Sequence, residues 1–151
     1  MSSNKILQIL LVEDDDIDAE AVKRALMKQR IANPIVVARD GVAALERLRG
    51  QDGSEPLQRP FLILLDLNLP RMNGIEFLRE LRSDPELQGS IVFVLTTSDA
   101  DRDKVAAYEQ HIAGYIVKSQ AGEEFVNVMG IVDLYWRYVE FPPSPFESKS
   151  P

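Results

Sequence analysis

Five short apolar runs punctuate the chain: Leu7 to Val12, Ile35 to Ala38, Phe61 to Leu65, Ile91 to Leu95 and Tyr115 to Val117. Their length and their β-branched and aromatic content predict strands. Between them, apolar positions recur at helical spacing. Asp15 to Arg30 places Ile17, Ala21, Val22, Ala25 and Leu26 on one stripe, and Val42, Leu45 and Leu48 do the same in the next segment. Ile75, Leu78 and Leu81 continue the pattern, and Asp99 to Gln110 reads as a more polar helix. Strands that are apolar throughout, separated by helices, predict a parallel sheet covered on both faces: an α/β fold of five strands and five helices. Gln51 to Pro60, with Gly53, Ser54, Pro56 and Pro60, is expected to be a surface connection, and Pro142 to Pro151 a frayed tail.

The last helical segment is apolar on two sides. Phe125, Val128, Met129, Val132, Tyr135, Trp136 and Val139 form one stripe; Ile131, Leu134, Tyr138 and Phe141 form another. Burial against the chain's own sheet needs only one. The second predicts a partner surface, most simply a homodimer about a two-fold axis, unless it packs under the Pro-rich tail of the same chain.

Composition narrows the function classes. With 45% hydrophobic and 27% charged residues, 151 residues make one domain able to bury a core, and leave no room for a second full domain. The absence of cysteine excludes disulfides, thiolate metal sites and cysteine nucleophiles, and agrees with a cytoplasmic location. The N-terminal apolar run ends in acids without a small-residue cleavage site, so it is not read as a signal peptide, and nothing approaches a transmembrane span. A net charge of −7 disfavours nucleic acid and anionic lipid as partners. His111 is the only histidine, and its expected state is exposure at a helix end.

Chemistry gathers at the carboxyl ends of the predicted strands, where open α/β sheets place their ligand sites. The first ends in Glu13 and Asp14, the third in Asp66, the fourth in Thr96 and the fifth in Lys118. Carboxylates brought into one crevice need a cation, and hard oxygen ligands suit Mg²⁺. A carboxylate is also a nucleophile toward phosphorus, and a metal, an ammonium and a hydroxyl are parts that phosphoryl-transfer sites use.

Four segments, in order and at strand ends, carry a resemblance: Leu11-Val12-Glu13-Asp14-Asp15, Leu64-Leu65-Asp66-Leu67-Asn68-Leu69-Pro70-Arg71-Met72-Asn73-Gly74, Val94-Leu95-Thr96-Thr97-Ser98 and Gly114-Tyr115-Ile116-Val117-Lys118. Over roughly residues 6 to 139 the chain resembles the receiver domain of two-component response regulators. That resemblance implies a flavodoxin-like doubly wound sheet in the order 2-1-3-4-5. It divides the chain into an N-terminal extension (1–5), a receiver with an extended C-terminal helix (6–141) and a tail (142–151). Asp66 is the implied phosphoacceptor, Asp14 a direct Mg²⁺ ligand, Glu13 a ligand through water, and Asn68 a ligand through its backbone carbonyl. Lys118 is expected to pair with the phosphoryl oxygens. Thr96 is expected to move onto one of them, and Tyr115 to turn inward with it as the switch aromatic. The implied protein is a phosphoacceptor in signalling rather than a metabolic enzyme, fed by a histidine kinase and signalling through a changed surface around the fourth helix, fifth strand and fifth helix.

Ser119 departs from the pattern, since receivers commonly follow this lysine with a cis proline. A cis bond without proline costs about 3 kcal/mol, so either a reshaped trans loop or a strained cis bond is expected. The Leu95-Thr96-Thr97-Ser98 run, the long second connection and the end Tyr135-Trp136-Arg137-Tyr138-Val139-Glu140-Phe141 are similar to single-domain regulators paired with phytochrome histidine kinases, which dimerise through this helix. A flavodoxin-type electron carrier is disfavoured because acids follow the first strand where a flavin phosphate would sit. A haloacid-dehalogenase-type phosphatase is disfavoured because Asn68 stands where a second acid belongs. A pseudo-receiver that binds partners without phosphorylation is the alternative.

Overall fold

A computed structural model describes residues 7–53, 55–118 and 125–141. The expected N-terminal extension, the Lys118–Ser119 peptide bond and the tail over 142–151 lie outside the described residues.

Five parallel strands form the sheet, in the order β2-β1-β3-β4-β5: β1 Gln8–Val12, β2 Ile35–Ala38, β3 Phe61–Leu65, β4 Ile91–Thr96 and β5 Gly114–Val117. The helices among the described residues are α1 Asp16–Lys28, α2 Gly41–Arg49, α3 Gly74–Ser83, α4 Asp101–Glu109 and α5 Phe125–Tyr138. None is long and apolar enough to cross a membrane.

Each strand sends alternate side chains to opposite faces, so the continuous apolar runs feed two cores. Leu10, Val12, Ile63, Leu65, Val92 and Val94 face α2, α3 and α4. Ile9, Leu11, Leu62, Leu64, Phe93 and Leu95 face α1 and α5. The starts of α1, α2 and α3 are set by side-chain caps that satisfy otherwise unpaired N–H groups. Asp15 accepts from the N–H groups of Ile17 and Asp18, and Asp40 from that of Ala43. Asn73 and Glu76 form a reciprocal capping box. The Gln51–Pro60 connection is exposed over most of its described residues, but Leu57 within it is buried in the core.

Two stripes differ from expectation. Ile17 is 77% exposed, and Ala19, Val22, Ala25 and Leu26 form the buried face of α1. At about 100° per residue, Ile17 lies about 140° around the helix from Val22, so both cannot face the sheet. On α5, Met129 is buried and Tyr135 meets the Phe93 ring edge-on at 5.1 Å. Val139 follows the end of the helix and is exposed; the side chains of Phe125, Val128, Val132 and Trp136 lie outside those described. In the second stripe, Ile131, Leu134 and Tyr138 are 45%, 58% and 80% exposed. Phe141 instead turns back onto the Tyr135 ring, edge-on at 5.8 Å.

Candidate functional site

All five residues of β3 are buried, and Asp66 stands where the run stops. Pairing continues past the strand ends: the Asp66 N–H donates to the Val12 carbonyl at 3.0 Å, and the Glu13 N–H to the Ala38 carbonyl at 2.9 Å. The ladder thus delivers two buried carboxylates side by side at the centre of the sheet. Buried charge is tolerated only when paired and hydrogen-bonded, and the site supplies both.

Asp66 Oδ1 accepts from the Thr96 hydroxyl at 2.8 Å and from the Asn68 N–H at 3.1 Å. Its Oδ2 faces Lys118 Nζ at 3.6 Å, an ion-pair distance too long for a good hydrogen bond. Lys118 Nζ donates to Glu13 Oε1 at 2.6 Å and to Asp18 Oδ2 at 3.2 Å. The other Glu13 oxygen accepts from the Asp15 N–H at 3.1 Å.

Electrostatics follow from these contacts. Burial pushes the Glu13 carboxyl above its ordinary range, opposed but not cancelled by its bond to Lys118. Burial works in the opposite direction on Lys118, yet the bond to Glu13 and the charges of Asp66, Glu13 and Asp18 outweigh it and hold the ammonium above the usual lysine value. Lys118 is therefore a fixed cation in this crevice.

The β3–α3 loop is pinned at several points. Arg71 adopts a left-handed backbone (φ 61°) and its guanidinium grips the buried Asp40, with Nε at 2.8 Å from Oδ2 and Nη2 at 3.1 Å from Oδ1. That grip holds the Asp40 carboxyl below its ordinary value against the effect of burial. The Gly41 N–H donates to the Met72 carbonyl at 3.1 Å. Gly74 packs so closely that a Cβ there would lie 2.7 Å from Leu67 Cα and 2.8 Å from the Asp66 carbonyl oxygen. On β5, the half-buried Tyr115 donates its hydroxyl to the Ser98 carbonyl at 3.0 Å.

Asp14 is exposed and lines a cavity of about 560 Å³ together with Asn68, Pro70, Asn73, Arg102 and Asp103. Among the described residues no three His, Cys, Asp or Glu side chains converge to hold a metal, and Glu13 is turned onto Lys118. Asp14 and Asn68 at this cavity, and Asp66, whose Oδ1 accepts from the Asn68 N–H, nevertheless offer hard oxygen donors. That chemistry fits Mg²⁺ or Mn²⁺.

The structure thus brings Glu13, Asp66, Thr96 and Lys118 into direct contact and sets Asp14 and Asn68 at the adjoining cavity. Thr96 reaches Asp66 directly. Asp18, Asp40, Arg71 and Ser98 are site neighbours that periodicity does not single out; each looks like a helix-start acid, a cap or a loop residue. His111 sits exposed just beyond α4, as expected.

Residues 9–129 match the family model described as the response regulator receiver domain. The chain belongs to that family. Response regulator Rcp1 of Synechocystis sp. is 39% identical over 134 residues, which span 89% of this receiver and 91% of that protein. The solved Mn²⁺-bound form of Rcp1 matches with a TM-score of 0.80 at 37% identity, over 92% of this receiver and 100% of that chain. The phosphorylated cyanobacterial phytochrome response regulator RcpA matches equally well, with a TM-score of 0.80 at 36% identity over 91% and 98% of the two chains. The relatives of this receiver thus include phytochrome response regulators.

Proposed function

We propose that this receiver accepts a phosphoryl group on Asp66 from the phosphohistidine of a partner histidine kinase, and signals through an altered protein-binding surface. The carrying observation is the asymmetry of one buried carboxylate. Asp66 Oδ1 is occupied by the Thr96 hydroxyl and the Asn68 N–H, whereas Oδ2 accepts no hydrogen bond from the described residues and faces a permanently charged ammonium. Oδ2 is the nucleophile in this reading: the O–P bond forms as the P–N bond breaks, and the imidazole leaves with the electron pair. Lys118 and Thr96 lie within reach of the transferred oxygens and offset their charge.

In this reading Asp14, Asp66 and the Asn68 carbonyl hold Mg²⁺, with Glu13 acting through water. When bound, the ion supplies neutralisation of the carboxylates and of the incoming phosphoryl group. A phytochrome-type kinase is the partner supported by the regulators that the chain resembles. Output passes through α4, β5 and α5, where Tyr115 reports the state of Thr96. A homodimer through the exposed Ile131, Leu134 and Tyr138 completes the proposal, in a cytoplasmic protein whose receiver unit runs from 6 to 141.

Intact-protein mass spectrometry after incubation with acetyl phosphate tests it. The expected result is a gain of one phosphoryl mass that requires Mg²⁺ and is lost in Asp66→Asn. No gain, in protein that still binds Mg²⁺, would replace this reading with that of a pseudo-receiver.

A further inference from the structure

Lys118 has three carboxylates around one ammonium and does not treat them equally: 2.6 Å to Glu13, 3.2 Å to Asp18 and 3.6 Å to Asp66. An ammonium has three protons to give. Two are committed to Glu13 and Asp18, and the phosphoacceptor is left at the longest distance. Resting on the reading of Asp66 as phosphoacceptor, we propose that Asp18 is a positioning residue, which holds the Lys118 ammonium off Asp66 at rest and releases it when a phosphoryl group arrives.

Burial separates the two competing acids. The Glu13 side chain is 3% exposed, so detaching it from Lys118 would strand a buried charge. The Asp18 side chain is 41% exposed, and water can take over its charge when Lys118 leaves. Glu13 is therefore the permanent partner and Asp18 the exchangeable one. The Asp18 carboxylate is also placed independently of Lys118. It sits in the first turn of α1, where its N–H donates to the Asp15 cap at 3.1 Å, and that helix is anchored to the core by Ala19, Val22, Ala25 and Leu26. A phosphoryl group on Asp66 brings close to two negative charges and three acceptor oxygens, enough to draw Lys118 from a half-solvated acid. Asp18 thereby resists both arrival and retention of the phosphoryl group.

Phosphorylation kinetics with acetyl phosphate and Mg²⁺, followed by mass spectrometry, test this in wild type, Asp18→Asn, Asp18→Glu and Glu20→Gln. Glu20 lies on the same helix, pairs with Lys23 and does not touch Lys118, so its variant reports removal of a charge alone. The expected result is uptake about fivefold faster, and loss correspondingly slower, in Asp18→Asn, equivalent to about 1 kcal/mol. The effect should persist at about 1 M salt, where the screening length is about 3 Å. Asp18→Glu should stay near wild type. Uptake in Asp18→Asn that equals wild type, is slower, is matched by Glu20→Gln or collapses in salt would overturn the proposal and leave the Asp66 reading intact. A wild type that takes up no phosphoryl group would overturn both.

Discussion

At the scale of the residue, the Thr96 hydroxyl and the Asp66 carboxylate depend on each other. Both are buried, and their 2.8 Å bond has a charged acceptor. Thr96→Val keeps the volume and removes the donor, so its cost is that of an unmade hydrogen bond rather than a cavity. We expect a loss of about 1–2 kcal/mol, reduced from the usual range for a charged acceptor because the Asn68 N–H and Lys118 remain beside Asp66. Urea unfolding should show a lower midpoint with an unchanged slope. An unchanged midpoint would mean that the hydroxyl is not committed to Asp66. Asp66, Thr96, Glu13 and Lys118 were legible because a polar residue that ends an apolar strand has few structural reasons to be there. Asp18 was not. An acid in the first turn of a helix is already explained by favourable placement near the helix N-terminus, and only the fold brings Lys118, a hundred positions away, to meet it.

At the scale of the element, sequence patterning located every strand to within a residue at each end, helped by the polar residue that follows each apolar run and by the prolines that precede β2 and β3. What it missed are the ties between elements. Arg82 reads as an exposed helix cation, yet it donates to the carbonyls of Gln88, Ser90, Gln110 and His111, joining the end of α3 to the start of β4 and the end of α4. The Arg71–Asp40 grip belongs to the same class and leaves a pH signature. Asp40 has its carboxyl held below the ordinary 3.8 in the folded state, so the stability it contributes is fully present above 3.8 and is lost as pH falls through the lowered value. Arg71→Ala should therefore be modestly less stable than wild type at neutral pH, because the guanidinium is largely exposed and screened by solvent. The difference should be flat toward neutrality and close on the acid side of 3.8, as read by urea titrations across that range. A gap independent of pH would assign the loss to packing. Gly74→Ala tests the same loop by sterics. Its new methyl meets backbone at 2.7 and 2.8 Å, which no side-chain adjustment relieves. We expect a loss above about 2 kcal/mol by the same titration. Wild-type stability would mean that the loop can move away from Asp66.

At the scale of the whole molecule, the two-sided burial of the sheet made the fold class legible, whereas the outer face of α5 cannot be assigned from periodicity alone. Tyr135 seats α5 on β4 through Phe93 and Phe141 closes over Tyr135, so Met129 and Tyr135 of the first stripe are spent within the chain, together with a residue expected in the other. Ile131, Leu134 and Tyr138 remain outward. Full burial of an aliphatic side chain is worth about 1.5–3 kcal/mol, but three side chains fall short of the roughly 1,000 Å² that a specific interface needs. The proposed dimer would therefore have to extend beyond this stripe. A two-fold interface presents each substitution twice, so Leu134→Asp removes two buried leucines and sets two like charges toward each other in a chain that already carries a net charge of −7. We expect its dimer dissociation constant, from sedimentation equilibrium over a concentration series, to rise by at least about tenfold. Thermal stability of the monomer should change little, because the side chain it replaces is exposed. Identical association in wild type and variant would move the interface off α5, and a wild type that stays monomeric throughout the series would remove the dimer from the proposed signalling route.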